Sequence, residues 1–505
     1  MNNMKPISNL GKMAQDLAEH LSDRPLMARL MAGHDAASLS DEVIGAITQM
    51  LNALDNSMSN PDIDDVMGRG DGPIRALSEL VAQCYNVERA IITPHGSSLN
   101  NIVLALAIGT ICGPDAHVLV DRGCHASVTG GLTLAHVRQV SYLNQPFDQD
   151  VQLRRPLSPE VLDAALTAAK TVQAVWITNP SYDGFMIGDI AALRRVCDDH
   201  GARLIVDAAW GALQGLLSDA GFPETMVTAA HAGVMSLHKS GIGLSGMSVA
   251  LFNDEALAAE FMRFADIGLI STSPPFLLYC MVEQTVSRWL APEGQSLAKQ
   301  LQHEAQSFAE ALDALPGVSL VRPEHLGPGI IVDPTHILID VRGTGLLGYD
   351  ILEAFAAHYG KDLEKATLSS LLFLFGSQHV EAWPEIVSDL GEIIERGGRI
   401  GQPVPKLCPP PEQIGTTVMP LHEAQLSRHR QALPDEAVGM IAAQPVSAYP
   451  PGSALLQPGE VIRQDVVDYL RAVQAAGSRL KGIAGNIDTV GLTVVDRNPT
   501  HNNSN

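Results

Sequence analysis

The sequence predicts an α/β fold built around an open, mostly parallel β-sheet. Short apolar runs alternate with helical patterns between residues 76 and 255, and this alternation is typical of parallel strands joined by crossover helices. The runs are apolar at every position, as strands are when helices cover both faces of a sheet. A chain of 505 residues with 46% apolar and 18% charged residues can bury a large core, which excludes a disordered or coiled-coil protein.

An N-terminal helical arm is predicted over residues 1–75. Apolar positions recur there at helical spacing, with leucines at positions 17, 21, 26 and 30. A stretch rich in glycine and aspartate, residues 67–73, ends the arm. We therefore expect the sheet to begin only after this segment.

A large domain is predicted over residues 76–335. Within it, residues 190–200 predict a helix that is capped by Asp189 and stopped by Gly201, and residues 280–315 predict one long helical region. Seven apolar runs supply the strands of one seven-stranded sheet: Ala90–Thr93, His117–Val120, Val137–Val140, Ala174–Thr178, Arg203–Val206, Gly233–Ser236 and Met247–Leu251.

A smaller α+β domain is predicted over residues 336–505. Residues 337–341 have the pattern of a strand and residues 349–359 that of a helix. Residues 401–411 contain five prolines, which cannot donate backbone hydrogen bonds, so we expect an extended connector there.

Charge and cysteine content exclude several classes of protein. The formal net charge of −23 makes nucleic acid an improbable partner, because its phosphates repel an acidic protein. The six cysteines are scattered, without a C-x-x-C pair or a metal-ligand spacing, so we expect reduced thiols and no metal site. Neither a signal peptide nor a membrane-spanning run is visible. These observations predict a cytoplasmic protein.

Polar clusters follow four of the predicted strands, and ligands of open α/β sheets bind at that edge. The first cluster, residues 93–101, is a turn of small residues that leads into an apolar helix. Its amides and hydroxyls suit a phosphate, although a plain helix cap has the same appearance. In the second cluster, Asp207 ends an apolar strand. A buried aspartate needs a cationic partner, which a protonated pyridine nitrogen or an arginine would supply.

The third and fourth clusters contain a lysine and a histidine. Only nine lysines occur in the chain, and Lys239 follows an apolar strand and precedes two glycines. A lysine in a partly dry pocket has a lowered pKa and can form a Schiff base. His125, in residues 121–127, could stack on an aromatic ring or simply cap a helix. Apart from Lys5 and Lys12 in the arm, the other lysines lie in polar helical or proline-rich contexts typical of surface charge: Lys170, Lys299, Lys361, Lys365, Lys406 and Lys481.

Together these clusters resemble the Orn/Lys/Arg decarboxylase family, whose members are fold-type-I pyridoxal-phosphate enzymes of the aspartate aminotransferase superfamily. The resemblance runs over residues 62–463 and is greatest for the shorter family members, which lack an N-terminal wing domain. Its most specific motif is Ser236-x-His238-Lys239, which is similar to the family's Ser-x-His-Lys with the Schiff-base lysine last. The resemblance implies a large domain with a mostly parallel seven-stranded sheet and a small C-terminal domain.

The resemblance also implies a role for each matching residue. Lys239 would carry pyridoxal 5'-phosphate, His125 would lie on its ring, and Asp207 would pair with the ring nitrogen. Trp210 matches the tryptophan of an Asp-x-Ala-Trp motif. Thr272 lies in a segment that would reach the neighbouring subunit's phosphate, which implies a homodimer with the site at its interface and leaves a larger oligomer open. The residues implied to hold the phosphate are Ser97, Ser98, Ser236 and His238.

Three positions depart from the family pattern. Ala126 stands where a lysine is usual, His422 where an arginine is usual, and Gln444 where a glutamate is usual. The last two changes remove one charge of each sign. Either a structural ion pair is lost or the substrate pocket is altered, so His422, its neighbour Glu423 and Gln444 are candidate substrate contacts.

The leading functional hypothesis is decarboxylation of arginine, lysine or ornithine through a Lys239 Schiff base. A second hypothesis keeps the cofactor but changes the reaction to transamination, β- or γ-elimination or substitution, or carbon–carbon bond formation, for example on S-adenosylmethionine. A third is a decarboxylase-like regulator without turnover. The presence of Lys239, Asp207 and His125 speaks against this third hypothesis.

Overall fold

The computed structural model describes residues 72–496, with gaps at 114, 144, 149, 152, 170, 240–244, 270–274, 401, 403, 405–409, 412–416 and 450–453. All but the last four residues of the predicted N-terminal arm lie outside the described residues, and so does Thr272. Most of the proline-rich connector predicted at 401–411 also lies outside them.

Helices and strands alternate through the first two-thirds of the described chain. The strands are β1 (Arg89–Thr93), β2 (His117–Asp121), β3 (Gln139–Leu143), β4 (Phe147–Asp148), β5 (Leu153–Arg154), β6 (Ala174–Thr178), β7 (Phe185–Ile187), β8 (Arg203–Asp207), β9 (Ala232–Ser236), β10 (Ser248–Phe252), β11 (Ser319–Leu320), β12 (Ile330–Val332), β13 (His336–Asp340), β14 (Lys365–Ala366), β15 (Ser370–Leu374), β16 (His429–Ala432), β17 (Val446–Tyr449), β18 (Ala454–Leu456), β19 (Arg479–Lys481) and β20 (Leu492–Val495). The α-helices are α1 (Pro73–Cys84), α2 (Gly96–Cys112), α3 (Ala126–Leu134), α4 (Pro159–Ala169), α5 (Ile190–Asp199), α6 (Glu255–Phe264), α7 (Phe276–Leu290), α8 (Pro292–Asp313), α9 (Gly348–Ala354), α10 (Trp383–Gly397), α11 (Leu421–Leu426), α12 (Pro434–Ala437), α13 (Gln464–Ala475) and α14 (Ile487–Val490).

The central sheet has seven strands in the order β1-β10-β9-β8-β6-β2-β3. Only β10 runs antiparallel to its neighbours, whereas β9, β8, β6, β2 and β3 pair in parallel. The seven predicted strands and the mostly parallel α/β sheet are therefore confirmed. The third strand begins at Gln139 rather than Val137, because the Val137 amide bonds to the Leu132 carbonyl at the end of α3 (3.1 Å) and cannot join the ladder.

Both faces of the sheet are covered by apolar side chains. Along β2, Val118 and Val120 lie in the core beneath α2, α3 and α6, whereas Leu119 lies in the larger core on the opposite face. All three side chains are at most 3% exposed. This two-sided burial explains why the strand sequences are apolar at every position.

The helical region predicted at 280–315 is two helices, not one. Helix α7 ends at Leu290, and α8 begins with Pro292 as its first residue. Proline has no backbone N–H and clashes with the carbonyl four residues earlier, so it starts a new helix instead of continuing the old one. A Cβ on Gly294 would lie 2.1 Å from the Arg288 carbonyl oxygen, so glycine permits the tight junction between the helices.

The second half of the chain forms smaller antiparallel sheets. One has the order β11-β13-β15-β14, another the order β18-β17-β19, and β16 pairs with β20. The larger core extends from Ile74 to Ile394, and a separate core lies between Ala432 and Val494. Strand β13 covers the run predicted at 337–341 except its last residue, and α9 with the π-helical turn after it covers the helix predicted at 349–359. The boundary after residue 335 stays a prediction. No helix among the described residues has the length and apolarity needed to cross a membrane.

Two lysines that were predicted to be surface charges are buried, and that prediction is wrong. Lys361 is 1% exposed and Lys365 is 2% exposed. Lys361 donates to Glu385 (2.8 Å) and to Asp389, and Lys365 donates to Asp183. A buried ammonium is tolerated when it is paired in this way. The paired acids are distant in sequence, so a polar local context could not reveal them.

A buried ion pair ties the loop after β2 to the C-terminal region. The Arg122 guanidinium donates to both carboxylate oxygens of Glu460, and the two side chains are 4% and 1% exposed. Glu460 also accepts a bond from the Gln457 amide (2.8 Å), and the guanidinium lies 4.9 Å from the centre of the Tyr142 ring. Removing one partner would leave the other charge buried without this ion pair.

We expect Glu460→Gln to lower the free energy of unfolding by about 3–5 kcal/mol, because Arg122 would keep its buried charge but lose the carboxylate to which it donates. Urea denaturation followed by circular dichroism would measure the change. Glu79→Gln is the matched control, because Glu79 pairs with Arg75 on an exposed surface and should change stability by less than about 1 kcal/mol. Equal effects of the two substitutions would contradict the prediction.

Candidate active site

A cavity of about 740 Å³ opens at the carboxyl edge of the central sheet. Its walls come from the loops after the parallel strands and from the C-terminal region. This is where ligands bind in open α/β sheets. The cavity brings together nine of the predicted site residues: Ser97, Ser98, His125, Asp207, Trp210, Ser236, His238, Lys239 and Gln444.

One end of the cavity is formed by the start of α2 and the end of β9. Gly96 has φ +73°, a left-handed conformation that glycine adopts without strain, and its amide bonds to the Gly246 carbonyl (2.6 Å). The turn brings the Ser97 hydroxyl within 2.7 Å of the Ser236 hydroxyl. Two adjacent hydroxyls at the N-terminus of a 17-residue helix suit a phosphate, because the helix dipole and hydroxyl protons both favour an anion.

His238 lines the same cavity in a defined tautomer. Its Nδ1 lies 2.9 Å from the Met247 carbonyl oxygen, which can only accept a hydrogen bond. Nδ1 therefore carries a proton. The backbone carbonyl thus fixes the orientation of the ring after β9.

Asp207 ends β8 as a buried acid, with 1% of its surface exposed. Its carboxylate accepts a bond from the Asn101 side-chain amide (2.9 Å) and one from the Ala209 backbone amide (3.1 Å). Both donors hold the carboxylate in a fixed orientation. A fixed negative charge in this cavity can hold a cationic ring nitrogen.

Asn101 is a site residue to which the sequence analysis assigned no role. It lies at the end of the polar segment 93–101, where α2 turns its side chain toward β8. Its amide donates both to Asp207 and to the Ser127 hydroxyl (3.0 Å). Asn101 thus couples the acid to the residue that orients His125. The one feature of the sequence that could have pointed to Asn101 is its position one helical turn after Ser97. That position does not show that Asn101 bonds to Asp207.

His125 precedes α3 and is held by its own helix. Its Nδ1 accepts from the Ser127 amide (3.3 Å) and lies 2.8 Å from the Ser127 hydroxyl. Burial lowers the pKa of His125, and the nearby charges of Lys239 and Lys481 lower it further, although Asp207 opposes them. A neutral imidazole at pH 7 is therefore available to contact an aromatic ring.

Lys239 projects into the cavity above an indole ring. Its Nζ lies 4.5 Å from the centre of the Trp210 ring. Burial lowers the pKa of Lys239, and the negative charges of Asp207 and Glu364 partly offset that effect. A lysine with a lowered pKa supplies the free amine that attacks an aldehyde.

Trp210 is itself held edge-on by two aromatic rings. Tyr182 lies 5.6 Å from it and His336 lies 5.3 Å from it, measured between ring centres, with interplanar angles of 79° and 90°. Both neighbours come from segments that the sequence analysis had not placed in the site. Such T-shaped contacts fix the plane of the indole on which Lys239 rests.

The structure does not place His422 and Glu423 at the cavity. Both belong to α11, which packs against α3 through Leu421, and neither lines the cavity. The His422 ring lies 5.1 Å from the His136 ring instead. Gln444 does line the cavity, where it accepts a bond from the Thr493 hydroxyl (3.4 Å). Of these three residues, Gln444 is the one that remains a candidate substrate contact.

Two protein-family models match the chain. The model described as the major domain of Orn/Lys/Arg decarboxylase matches residues 48–377. The model described as the C-terminal domain of the same enzymes matches residues 422–500. The first match alone spans more than half of the chain.

Individual proteins are similar to this chain at 18–27% sequence identity. An arginine decarboxylase of Bacillus subtilis (strain 168) is 23% identical over 482 residues, which are 92% of this chain and 94% of the relative. An α-methylserine aldolase of Variovorax paradoxus is 27% identical over 243 residues, 47% of this chain and 51% of the relative. The crystal structure of a lysine decarboxylase from Francisella novicida superposes with a TM-score of 0.70 at 18% identity, over 85% of this chain and 73% of that chain.

Proposed function

The chain belongs to the Orn/Lys/Arg decarboxylase family, and from this premise we propose that it removes the carboxylate of arginine, lysine or ornithine at Lys239. Its cofactor is pyridoxal 5'-phosphate, and it is a decarboxylase-like lyase. The Lys239 amine lies in the same cavity as the buried carboxylate of Asp207. The presence of this amine and this carboxylate in one cavity is the observation on which the proposal depends.

The residues of the cavity fit this cofactor. The hydroxyls of Ser97 and Ser236, with Ser98 and His238 beside them, would hold the phosphate. Asp207 would hold the protonated ring nitrogen. The residues that would hold the phosphate lie at the start of α2, after β1, and at the end of β9, whereas Asp207 ends β8. They meet at one edge of the sheet, as an extended ligand with an anionic and a cationic end requires.

When bound, pyridoxal phosphate supplies an aldehyde for a Schiff base and a ring that accepts an electron pair. The protein contributes the rest. The Asp207 carboxylate is held in place by the bonds that it accepts from Asn101 and the Ala209 amide. His125 offers a neutral imidazole, and Lys239 holds or gives up a proton at Nζ.

A second reaction with the same cofactor is a specific alternative. The α-methylserine aldolase relative motivates carbon–carbon bond chemistry, and Gln444 at the position of a family glutamate motivates a changed substrate pocket or reaction. Transamination, elimination and substitution use the same electron-accepting ring. The lower coverage of the aldolase, about half of each chain, makes decarboxylation the first choice.

Carbon dioxide release tests the proposal. Purified enzyme with pyridoxal phosphate should release carbon dioxide from one of arginine, lysine or ornithine, at a rate of roughly 1–10³ per second. α-Methylserine and S-adenosylmethionine serve as comparison substrates. Turnover of either of these, with no carbon dioxide from the three basic amino acids, would replace decarboxylation with the alternative.

We also propose a cytoplasmic homodimer with the site near the subunit interface. The free thiols of Cys84, Cys112, Cys124, Cys197 and Cys280 are compatible with a reducing compartment. Thr272, implied by the resemblance to reach the neighbouring phosphate, is the residue on which the interface assignment depends. Light scattering would measure the oligomer, and Thr272→Ala in a confirmed dimer should weaken cofactor binding.

A further inference from the structure

We propose that Glu364 is a positioning residue for Lys239 and acts through Tyr182 and Trp210 from the second half of the chain. The inference rests on the proposed role of Lys239 in holding the cofactor. It assigns a second acid, beside Asp207, to the same lysine. Glu364 itself comes from the residue before β14, far in sequence from the four polar clusters.

A continuous series of contacts joins the two residues. The Tyr182 hydroxyl donates to the Glu364 carboxylate at 2.6 Å. The Tyr182 ring packs edge-on against Trp210, with 5.6 Å between the ring centres. The Lys239 ammonium lies 4.5 Å from the centre of the same indole. A change at Glu364 can therefore alter the position of the indole beneath the lysine.

The neighbouring residues form a parallel link. Asp183, which follows Tyr182, accepts from the buried ammonium of Lys365, which follows Glu364. We call these two contacts, 182–364 and 183–365, the loop clasp. The Lys365 ammonium also lies 5.5 Å from the centre of the Tyr182 ring. The clasp holds the loop after β6 against β14, so Tyr182 is fixed at both its ring and its hydroxyl.

Charge supports the same assignment. Two acids among the described residues, Asp207 and Glu364, act electrostatically on Lys239, and the pKa of the nearby His125 is lowered, so its imidazole is neutral at pH 7. Burial lowers the pKa of Lys239, and the two acids oppose that effect. Asp207 has a second task at the cofactor ring. Glu364 is therefore the acid available to stabilise the ammonium form when Lys239 is released from the cofactor.

The expected consequence concerns the proton on Nζ. A lysine that has given up the cofactor to the substrate must carry a proton if it is to act as an acid. With Glu364 in place, the ammonium form is more populated. Without its negative charge, more of the lysine is a neutral amine at the same pH.

The test is the amine reactivity of Lys239 in cofactor-free enzyme. We expect Glu364→Gln to raise its labelling rate by an amine-selective acylating reagent at pH 7 by about threefold to tenfold, measured by peptide mapping. In the loaded enzyme, kcat should fall by about tenfold to a hundredfold with little change in KM, and the high-pH limb of the kcat profile should move to lower pH. Glu364→Asp should restore both readouts in part.

Glu385→Gln is the matched control. It removes one carboxylate from the buried Lys361, which keeps Asp389 as a partner, and none of these three residues lines the cavity. It should leave the labelling of Lys239 unchanged. If Glu364→Gln lowered kcat without moving either the labelling rate or the pH limb, Glu364 would be purely structural and the inference overturned. A failure of the proposed function is a separate result. The wild-type enzyme would then release no carbon dioxide from the three basic amino acids, or its cofactor would not be found on Lys239, whereas the labelling test in cofactor-free enzyme compares wild type and variant directly.

Discussion

Replacing Lys239 with alanine should reduce kcat by at least about 10⁴-fold, because one side chain serves both as the nucleophile for the cofactor and as a proton donor or acceptor. Its Nζ is held above the Trp210 ring, and burial lowers its pKa. Carbon dioxide release measures the rate. Borohydride reduction followed by peptide mapping shows where the cofactor is attached.

Lys299→Ala is the control for this prediction. Lys299 lies exposed on α8 and should leave both the rate and the attachment unchanged. Lys481 is the alternative site of cofactor attachment, because it also lines the cavity. Reduced cofactor found on Lys481 in the wild-type enzyme would show that Lys239 is the wrong lysine, and Lys481→Ala would then be the inactive variant.

The second large effect is expected for Asp207→Asn, with a fall in kcat of about 10²–10³-fold. Asparagine has nearly the same shape, but it can accept only one of the bonds from Asn101 and Ala209, and it removes the negative charge that would hold the ring nitrogen protonated. Without that proton the ring accepts electrons poorly. The measurements are kcat and the dissociation constant of the cofactor, which should rise because the ion pair is lost.

Asp189→Asn is the control for the effect of an aspartate-to-asparagine substitution outside the cavity. Asp189 caps α5 by accepting from the Ala192 amide (2.9 Å), and asparagine caps helices about equally well. Its kcat should match that of the wild type. Wild-type kcat in Asp207→Asn would show that the buried acid serves only to receive bonds from Asn101 and Ala209, and the ring nitrogen would then need another partner.

Much of the fold could be predicted because its signals are local. Each strand of the central sheet is a short apolar run, and Asp189 and Gly201 mark the ends of α5 as expected. The break between α7 and α8 was missed although Pro292 is visible in the sequence. The helical periodicity of apolar residues continues on both sides of Pro292, so the pattern predicted one helix in spite of the proline.

The site could be predicted in part for a related reason. Ser97, Asp207 and Lys239 each follow a strand of the same sheet, and the carboxyl ends of parallel strands meet at one edge. The sheet order therefore brings them together without further information. By contrast, His422 was placed in the site by its neighbourhood in a motif, and α11 carries it onto α3 instead.

The sequence by itself determined the α/β class, the strands of the central sheet, the family and the cofactor, since apolar runs and short motifs are properties of neighbouring residues. Only the tertiary structure decided the partners of the charged side chains. Lys361 and Lys365 have the sequence context of surface residues, yet both are buried and paired with acids from other segments. Glu364 contacts the site through Tyr182. A charge is stable in the interior only beside its counter-charge, and folding, not sequence distance, determines which charges meet.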